Sequence, residues 1–181
     1  MSDNMSEVER KVDEKQASAD AYDSRVVAIF RTTKVREGGR DFSFSAVVVV
    51  GDGHGRIGYA RGKAKEVVEA VRKANESARR NMHTIELRGE TIWYPIKTKR
   101  GATRLVMLPG AEGTGIIAGG AMRPVFEVLG VKNVIAKCLG STNPMNVIRS
   151  TIEALLEIQT PGFVAAKRGK TVKEILGKDD E

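Results

Sequence analysis

The chain has 181 residues, with 30 lysines and arginines against 23 aspartates and glutamates, two histidines and one cysteine. The length suffices to bury a core without disulfides or a structural metal, and the single Cys138 excludes a disulfide framework or a multi-cysteine zinc site. The longest apolar run, Ala46 to Val50, is too short to span a bilayer, and the first residues carry no apolar signal segment, so a soluble intracellular protein is expected.

Charge is unevenly placed. Residues 1–20 carry six acids and three bases, and the last four residues add one base and three acids. Between them lie 26 bases and 14 acids, so the body is near +12 and the ends mask it. A basic body suits a polyanionic partner. Charge alone leaves a lysine-rich solvated surface equally open.

Residues 1–24 read as a disordered acidic arm. Arg25 to Val35 is predicted as a strand, Thr33 to Arg40 as a loop turning at Gly38-Gly39, and Asp41 to Val50 as a second strand with Phe42 and Phe44 buried. Gly51 to Gly55 is a turn, and Arg56 to Ala60 a short third strand. A helix is predicted from Lys63 to Asn81, because Ala64, Val67, Val68, Val71, Ala74 and Ala78 recur at helical spacing. A second unit is predicted from His83, with strands at Thr84–Arg88, Thr91–Tyr94, Arg104–Leu108 and Asn133–Leu139. Lys97 to Arg100 is a basic loop, Ala121 to Leu129 a helix, and Pro144 to Glu157 a helix capped by the preceding Ser-Thr-Asn and stopped by Pro161-Gly162. The basic tail ends in a short helix, Val172 to Leu176. These elements divide the chain at residues 25–82, 83–160 and 161–181.

Enzymatic motifs fall short. Gly53-x-Gly55-x-x-Gly58 has the dinucleotide spacing, but the residues after it are β-like and open no helix N-terminus. Gly62-Lys63 and Gly169-Lys170 lack the first glycine of a phosphate loop, since residues 57 and 164 are isoleucine and valine. Pro109 to Ala118 is similar to the phosphate loop of galactokinase-type small-molecule kinases. Ile116 and Ile117 stand where such loops place serines, and isoleucine cannot bond phosphate. Cys138 in an apolar strand reads as a small core residue. His54 and His83 read as surface residues, and Trp93 with Tyr94 as a core or interface anchor rather than a base-stacking pair. No catalytic, metal or cofactor residue is predicted.

The positive signals are basic clusters at loops and helix ends: Lys34, Arg36 and Arg40 around Gly38-Gly39; Arg56, Arg61, Lys63 and Lys65; Lys97, Lys99, Arg100 and Arg104; and Lys167, Arg168 and Lys170. Several clusters on two small domains suit several phosphate tracks, and arginine suits bidentate phosphate contact. The low aromatic content, 5%, favours recognition of duplex RNA shape over single-strand stacking.

A set of motifs in fixed order resembles one family. These are Lys34-x-x-x-Gly38-Gly39-Arg40-x-Phe42-Ser43-Phe44, Val49-Val50-Gly51-Asp52-Gly53-x-Gly55-Arg56, Gly62-Lys63-Ala64 and Ala78-Arg79-Arg80-Asn81-Met82. Glu112 to Arg123, Gly140 to Pro144 and Ala165 to Lys170 complete the set. The resemblance, from about Arg25 to Gly177, is to the bacterial-type ribosomal protein S-five family, the fifth protein of the small subunit. Ala60 stands where that family usually has glycine, and Gly110 where it usually has alanine.

The resemblance implies an α+β protein. Its N-terminal domain is similar to the double-stranded-RNA-binding fold, with three antiparallel strands and a helix. Its C-terminal domain is a β-α-β-α unit of the superfold shared with small-molecule kinases. The implied role is a non-catalytic constituent of the small subunit that binds its ribosomal RNA where head meets body, near the path by which mRNA enters, and supports translational accuracy. Implied partners are that RNA and the fourth and eighth small-subunit proteins, with no cofactor, membrane, small-molecule substrate or homo-oligomer. Arg79, Arg80 and Asn81 join the RNA-binding set. Gly115 and Arg123 match positions at the interface with the fourth protein, and Thr33 to Arg40 matches the family loop near the spectinomycin site. A free regulatory double-stranded-RNA binder and a small-molecule kinase are the alternatives.

Overall fold

The structure is a computed structural model that describes residues 22–177. The acidic arm thus lies outside the described residues up to residue 21, and the chain from Asp23 is already a strand.

β1 (Asp23–Arg36) and β2 (Gly39–Gly51) form one long hairpin, with Arg36 opposite Gly39 across the turn. Gly38 takes φ +81° there, a conformation open to glycine at little cost. β3 (Arg56–Ala64) pairs with β2, and β4 (Met82–Thr84) pairs with β3, giving an antiparallel sheet in the order β1-β2-β3-β4. The fourth strand is an addition to the three predicted. β3 is also longer than predicted, so α1 runs from Val67 to Arg80 rather than from Lys63. The cause is packing. Gly58, Ala60, Gly62 and Ala64 share one face of β3, and α1 lays Ala70, Ala74 and Ala78 against it. A Cβ on Gly62 would stand 2.1 Å from the Ala70 carbonyl oxygen, so the helix rides almost in backbone contact with the strand.

The second sheet has the order β5-β6-β8-β7, from β5 (Ile96–Arg100), β6 (Thr103–Pro109), β7 (Ile116–Ile117) and β8 (Val134–Gly140). β7 and β8 are parallel, joined through α2 (Arg123–Leu129), and α3 (Pro144–Leu156) follows. This is the β-α-β-α order predicted, preceded by a hairpin. Three local predictions fail. Lys97 to Arg100 is strand rather than loop, because it pairs residue by residue with β6. Thr84–Arg88 and Thr91–Tyr94 are not strands: only the end of β4 and one Arg88–Thr91 bridge form there. Pro161-Gly162 does not simply stop a helix. Pro161 opens α4 (Pro161–Arg168), with Thr160 accepting the Phe163 N–H, and the basic tail is therefore helical. α5 (Val172–Leu176) carries a capping box from Thr171 and Glu174.

The Ala46–Val50 run is buried on both faces, each for its own reason. Ala46, Val48 and Val50 meet α1. Val47 and Val49 belong to a second cluster with Val125, Phe126, Val128 and Leu129 of α2 and with Ile148, Ile152 and Leu155 of α3. The two halves of the chain thus share one core, and β2 is its central layer.

Candidate nucleic-acid interface

The glycine turn between β2 and β3 serves the fold. Asp52 Oδ1 accepts the N–H groups of His54 at 2.8 Å and Arg56 at 3.0 Å. The turn then donates outward. Gly53 N–H reaches the Val128 carbonyl at 3.0 Å, and Gly55 N–H reaches that of Leu129 at 3.1 Å. These are carbonyls at the C-terminal end of α2, which lack partners within the helix. The dinucleotide-like spacing is therefore consumed as a clamp between the two sheets. The Pro109–Ala118 segment is equally occupied. Gly115 N–H donates to the buried Asn133 side chain at 3.2 Å, and β7 intervenes before α2, so Gly110, Gly113 and Gly115 do not open onto that helix's N-terminus.

All the cations singled out from sequence are exposed, and the fold sorts them into distinct surfaces. Lys34, Arg36, Gly38, Gly39 and Arg40 form the tip of the β1–β2 hairpin, which is exposed throughout. Arg36 is paired with Asp41 at 2.7 Å, whereas neither Lys34 nor Arg40 has an ion pair among the described residues. Arg61 and Lys63 lie within β3, not at a helix start, on the face opposite α1; Arg61 Nε donates to Ser45 Oγ at 2.6 Å. Lys65 links β3 to α1, and Arg56 opens β3 beside the glycine turn.

Arg79, Arg80 and Asn81 close α1. Arg79 lies over the Tyr22 ring at 5.9 Å, Arg80 Nε donates to the Glu76 carbonyl, and Asn81 is the C-cap. The two arginines also complement the helix dipole. Lys167 and Arg168 occupy the last turn of α4, and Lys170 follows it.

The third cluster is split by strand alternation. Lys99 stands opposite Arg104, which stands opposite Leu139; Lys97 stands opposite Val106, which stands opposite Lys137. These side chains share the sheet face away from α2 and α3. Leu108, Ile117, Ile135 and Leu139 are exposed on that face. Arg100 points the other way and pairs with Glu153 of α3, which also takes Arg149 at 3.1 Å. Lys137 belongs with Lys97 and Lys99 and was missed from sequence, because it is a lone lysine in an apolar strand; its register against β6 reveals it.

Gly115 precedes the edge strand β7 with φ +72°, and Arg123 opens α2, its Nε 3.0 Å from Glu127. Glu127 is also 3.9 Å from Arg25 of β1. Cys138 is half-buried; its thiol faces the Ser141 carbonyl at 3.6 Å, and burial raises its pKa while Lys137 pulls it down.

Comparison with known proteins fits this two-part architecture. The family model described as Ribosomal protein S5, N-terminal domain, matches residues 22–86. The one described as Ribosomal protein S5, C-terminal domain, matches residues 98–168. The chain is 56% identical over 165 residues to the small ribosomal subunit protein uS5 of Hydrogenovibrio crunogenus, covering 91% of this chain and 98% of that protein. It is 55% identical over 164 residues to that of Hahella chejuensis, covering 91% and 98%. It is 55% identical over 161 residues to that of Azotobacter vinelandii, covering 89% and 97%.

Proposed function

The chain belongs to the ribosomal protein S5 family, and on that premise we propose that it braces small-subunit ribosomal RNA where head meets body. It is a structural constituent of the small ribosomal subunit, acting in translation within the cytoplasm, and not an enzyme. Its partners are ribosomal RNA and other ribosomal proteins. The finer placement near the path of mRNA, with the fourth and eighth small-subunit proteins as neighbours and an effect on accuracy, is our reading. The observation that carries it is the shared core: exposed cationic surfaces on the hairpin, α1 and the second sheet are set on one body through β2.

A body with fixed cations can neutralise phosphates of several RNA helices without paying to order itself at each contact. If ten phosphates are neutralised, the affinity falls with salt at a log–log slope of about −7 to −9. The deciding experiment is sedimentation of the full chain from cells in a salt gradient. It should travel with small-subunit particles and leave them as salt rises. A chain absent from those fractions, or bound to free duplex RNA only, contradicts the reading.

A further inference from the structure

The β1–β2 hairpin has two unlike faces. On one, Thr32 Oγ1 donates to the Ser43 carbonyl and Arg36 pairs with Asp41, which also stands opposite Lys34, so this face carries a carboxylate among its cations. The other continues the α1 side of the sheet beyond the helix: Ile29, Arg31, Thr33 and Val35 of β1 share it with Arg40, Phe42 and Phe44 of β2. Phe42, predicted from sequence to be buried, is 47% exposed, with Ile29 at 48% and Val35 at 73%. The Arg31 guanidinium lies over the Phe42 ring, 3.9 Å from its centroid. Neither Arg31 nor Arg40 has an ion pair among the described residues, and this face of the two strands carries no carboxylate.

We propose that Phe42 and Arg31 form a stacking site for one unpaired RNA base, with Arg40 holding the adjacent phosphate. The chemistry selects this occupant. A flat ring and a flat guanidinium offer π-faces that any base can stack on. Two arginines without ion pairs on a carboxylate-free face select an anion, and in an RNA-binding protein the group that combines a planar ring with a phosphate is a nucleotide. An apolar protein segment would use the ring but leave both arginines without a counter-charge. The site deepens the RNA-binding reading above and rests on it. It adds recognition of a splayed base to a surface otherwise matched to phosphates.

The test uses small-subunit particles assembled without this protein, to which the full chain or a variant is added back. Affinity is measured over a salt series, and base reactivity toward dimethyl sulfate is mapped along the RNA. Phe42→Leu keeps apolar bulk and removes the π-face. It should weaken binding roughly 5- to 150-fold, the range for loss of one stacked base. The salt slope should not change, because the ring carries no charge, and one base should become reactive. Phe42→Trp should restore both affinity and protection, which also controls for misfolding. Arg31→Lys keeps the charge, loses the plane, and should expose the same base.

Unchanged affinity and reactivity in Phe42→Leu overturns the stacking site. If Arg40→Ala still weakens binding and flattens the slope, the phosphate reading survives that failure. If Arg40→Ala has no effect either, the hairpin is not an RNA contact at all. Loss of a neighbouring protein from the particle, with no change in base reactivity, overturns the proposal in favour of a protein occupant.

Discussion

Gly53 of the β2–β3 turn donates its backbone N–H to the Val128 carbonyl of α2 at 3.0 Å, and so ties the first sheet to the helix layer of the second. The approach leaves no room for side chains. A Cβ on Gly130 would stand 1.9 Å from the Gly53 carbonyl oxygen, and one on Gly51 would stand 2.2 Å from that of Val128. Two small domains become one body here, and this gives the first prediction. Gly130→Ala, at φ +89°, adds a conformational cost of about 1–2 kcal/mol to a backbone clash of about 1–3 kcal/mol. The denaturation midpoint should fall accordingly. A midpoint within error of the parent would mean the clamp is loose.

The α1 face of the first sheet gives the second. Gly62→Ala places a methyl 2.1 Å from the Ala70 carbonyl oxygen and 2.7 Å from the Ala74 nitrogen, both backbone atoms that cannot rotate away. The helix must lift, at a cost of about 1–3 kcal/mol. Thermal unfolding followed by circular dichroism should show the drop. The exposed Gly39→Ala, with nothing within 4 Å of its Cβ, should change stability little.

The hairpin tip separates two neighbouring arginines. Arg40 has no acidic partner among the described residues, whereas Arg36 is paired with Asp41 at 2.7 Å and its charge is partly compensated before RNA arrives. Arg40→Ala should lower the magnitude of the salt slope by about one. Arg36→Ala should lower it less, since Asp41 is freed at the same time. Neither should lower the melting temperature appreciably, both side chains being exposed. Equal slope changes would show that RNA displaces Asp41 from Arg36.

The open face of the second sheet predicts a residue that its sequence context hides. Lys137→Ala should weaken RNA binding and reduce the slope by about one, and Lys97→Ala should do the same, because the two flank Val106 in one cross-strand row. Arg149→Ala, paired with Glu153 on the helix side, is the control and should leave the slope unchanged. Binding titrations at three or more salt concentrations distinguish these outcomes.

Cys138 should be a slow thiol. Burial disfavours the thiolate and raises its pKa, so at pH 7–8 less of the reactive form is present than in a free cysteine. Its alkylation by iodoacetamide should lag behind that of a cysteine peptide and keep rising at pH values where the peptide has levelled off. Lys137 opposes the shift, so Lys137→Ala should slow the reaction further at neutral pH. A rate matching the peptide would mean that the thiol is solvated.

Much of the fold is legible because it is periodic. The buried face of α1 repeats at the helical period, although Val68, read as part of it, is 78% exposed and Ala70, left out of it, is buried; Ala46–Val50 is continuously apolar because both of its faces are covered. The helix starts at Asn143-Pro144 and Thr160-Pro161 are written in cap chemistry, although only the first is recognised as a start from sequence alone. Where contacts between distant residues decide, local rules fail. Lys63 and Ala64 carry helix-forming side chains, yet stay in β3 because Ser45 and Phe44 pair with them. Lys97 to Arg100 looks like a polar loop, yet is a strand because β6 supplies a complete ladder.

The sequence by itself determined the family, the two-part order of elements, the basic body and the lack of a complete phosphate loop. Each of these is a matter of residue type and spacing along the chain. Only the tertiary structure decided that Gly53 and Gly55 clamp α2 and that Arg100 turns away from Lys97 and Lys99. Only it placed Lys137 beside them and left Phe42 open to solvent under Arg31. The reason is physical. Strand alternation assigns each side chain to one of two faces, but which face is covered, and how far along, depends on where α1 and α2 come to rest. The hairpin strands, 14 and 13 residues long, outrun both helices, and the uncovered end is where Arg40 and the half-exposed Phe42 ring under Arg31 stand.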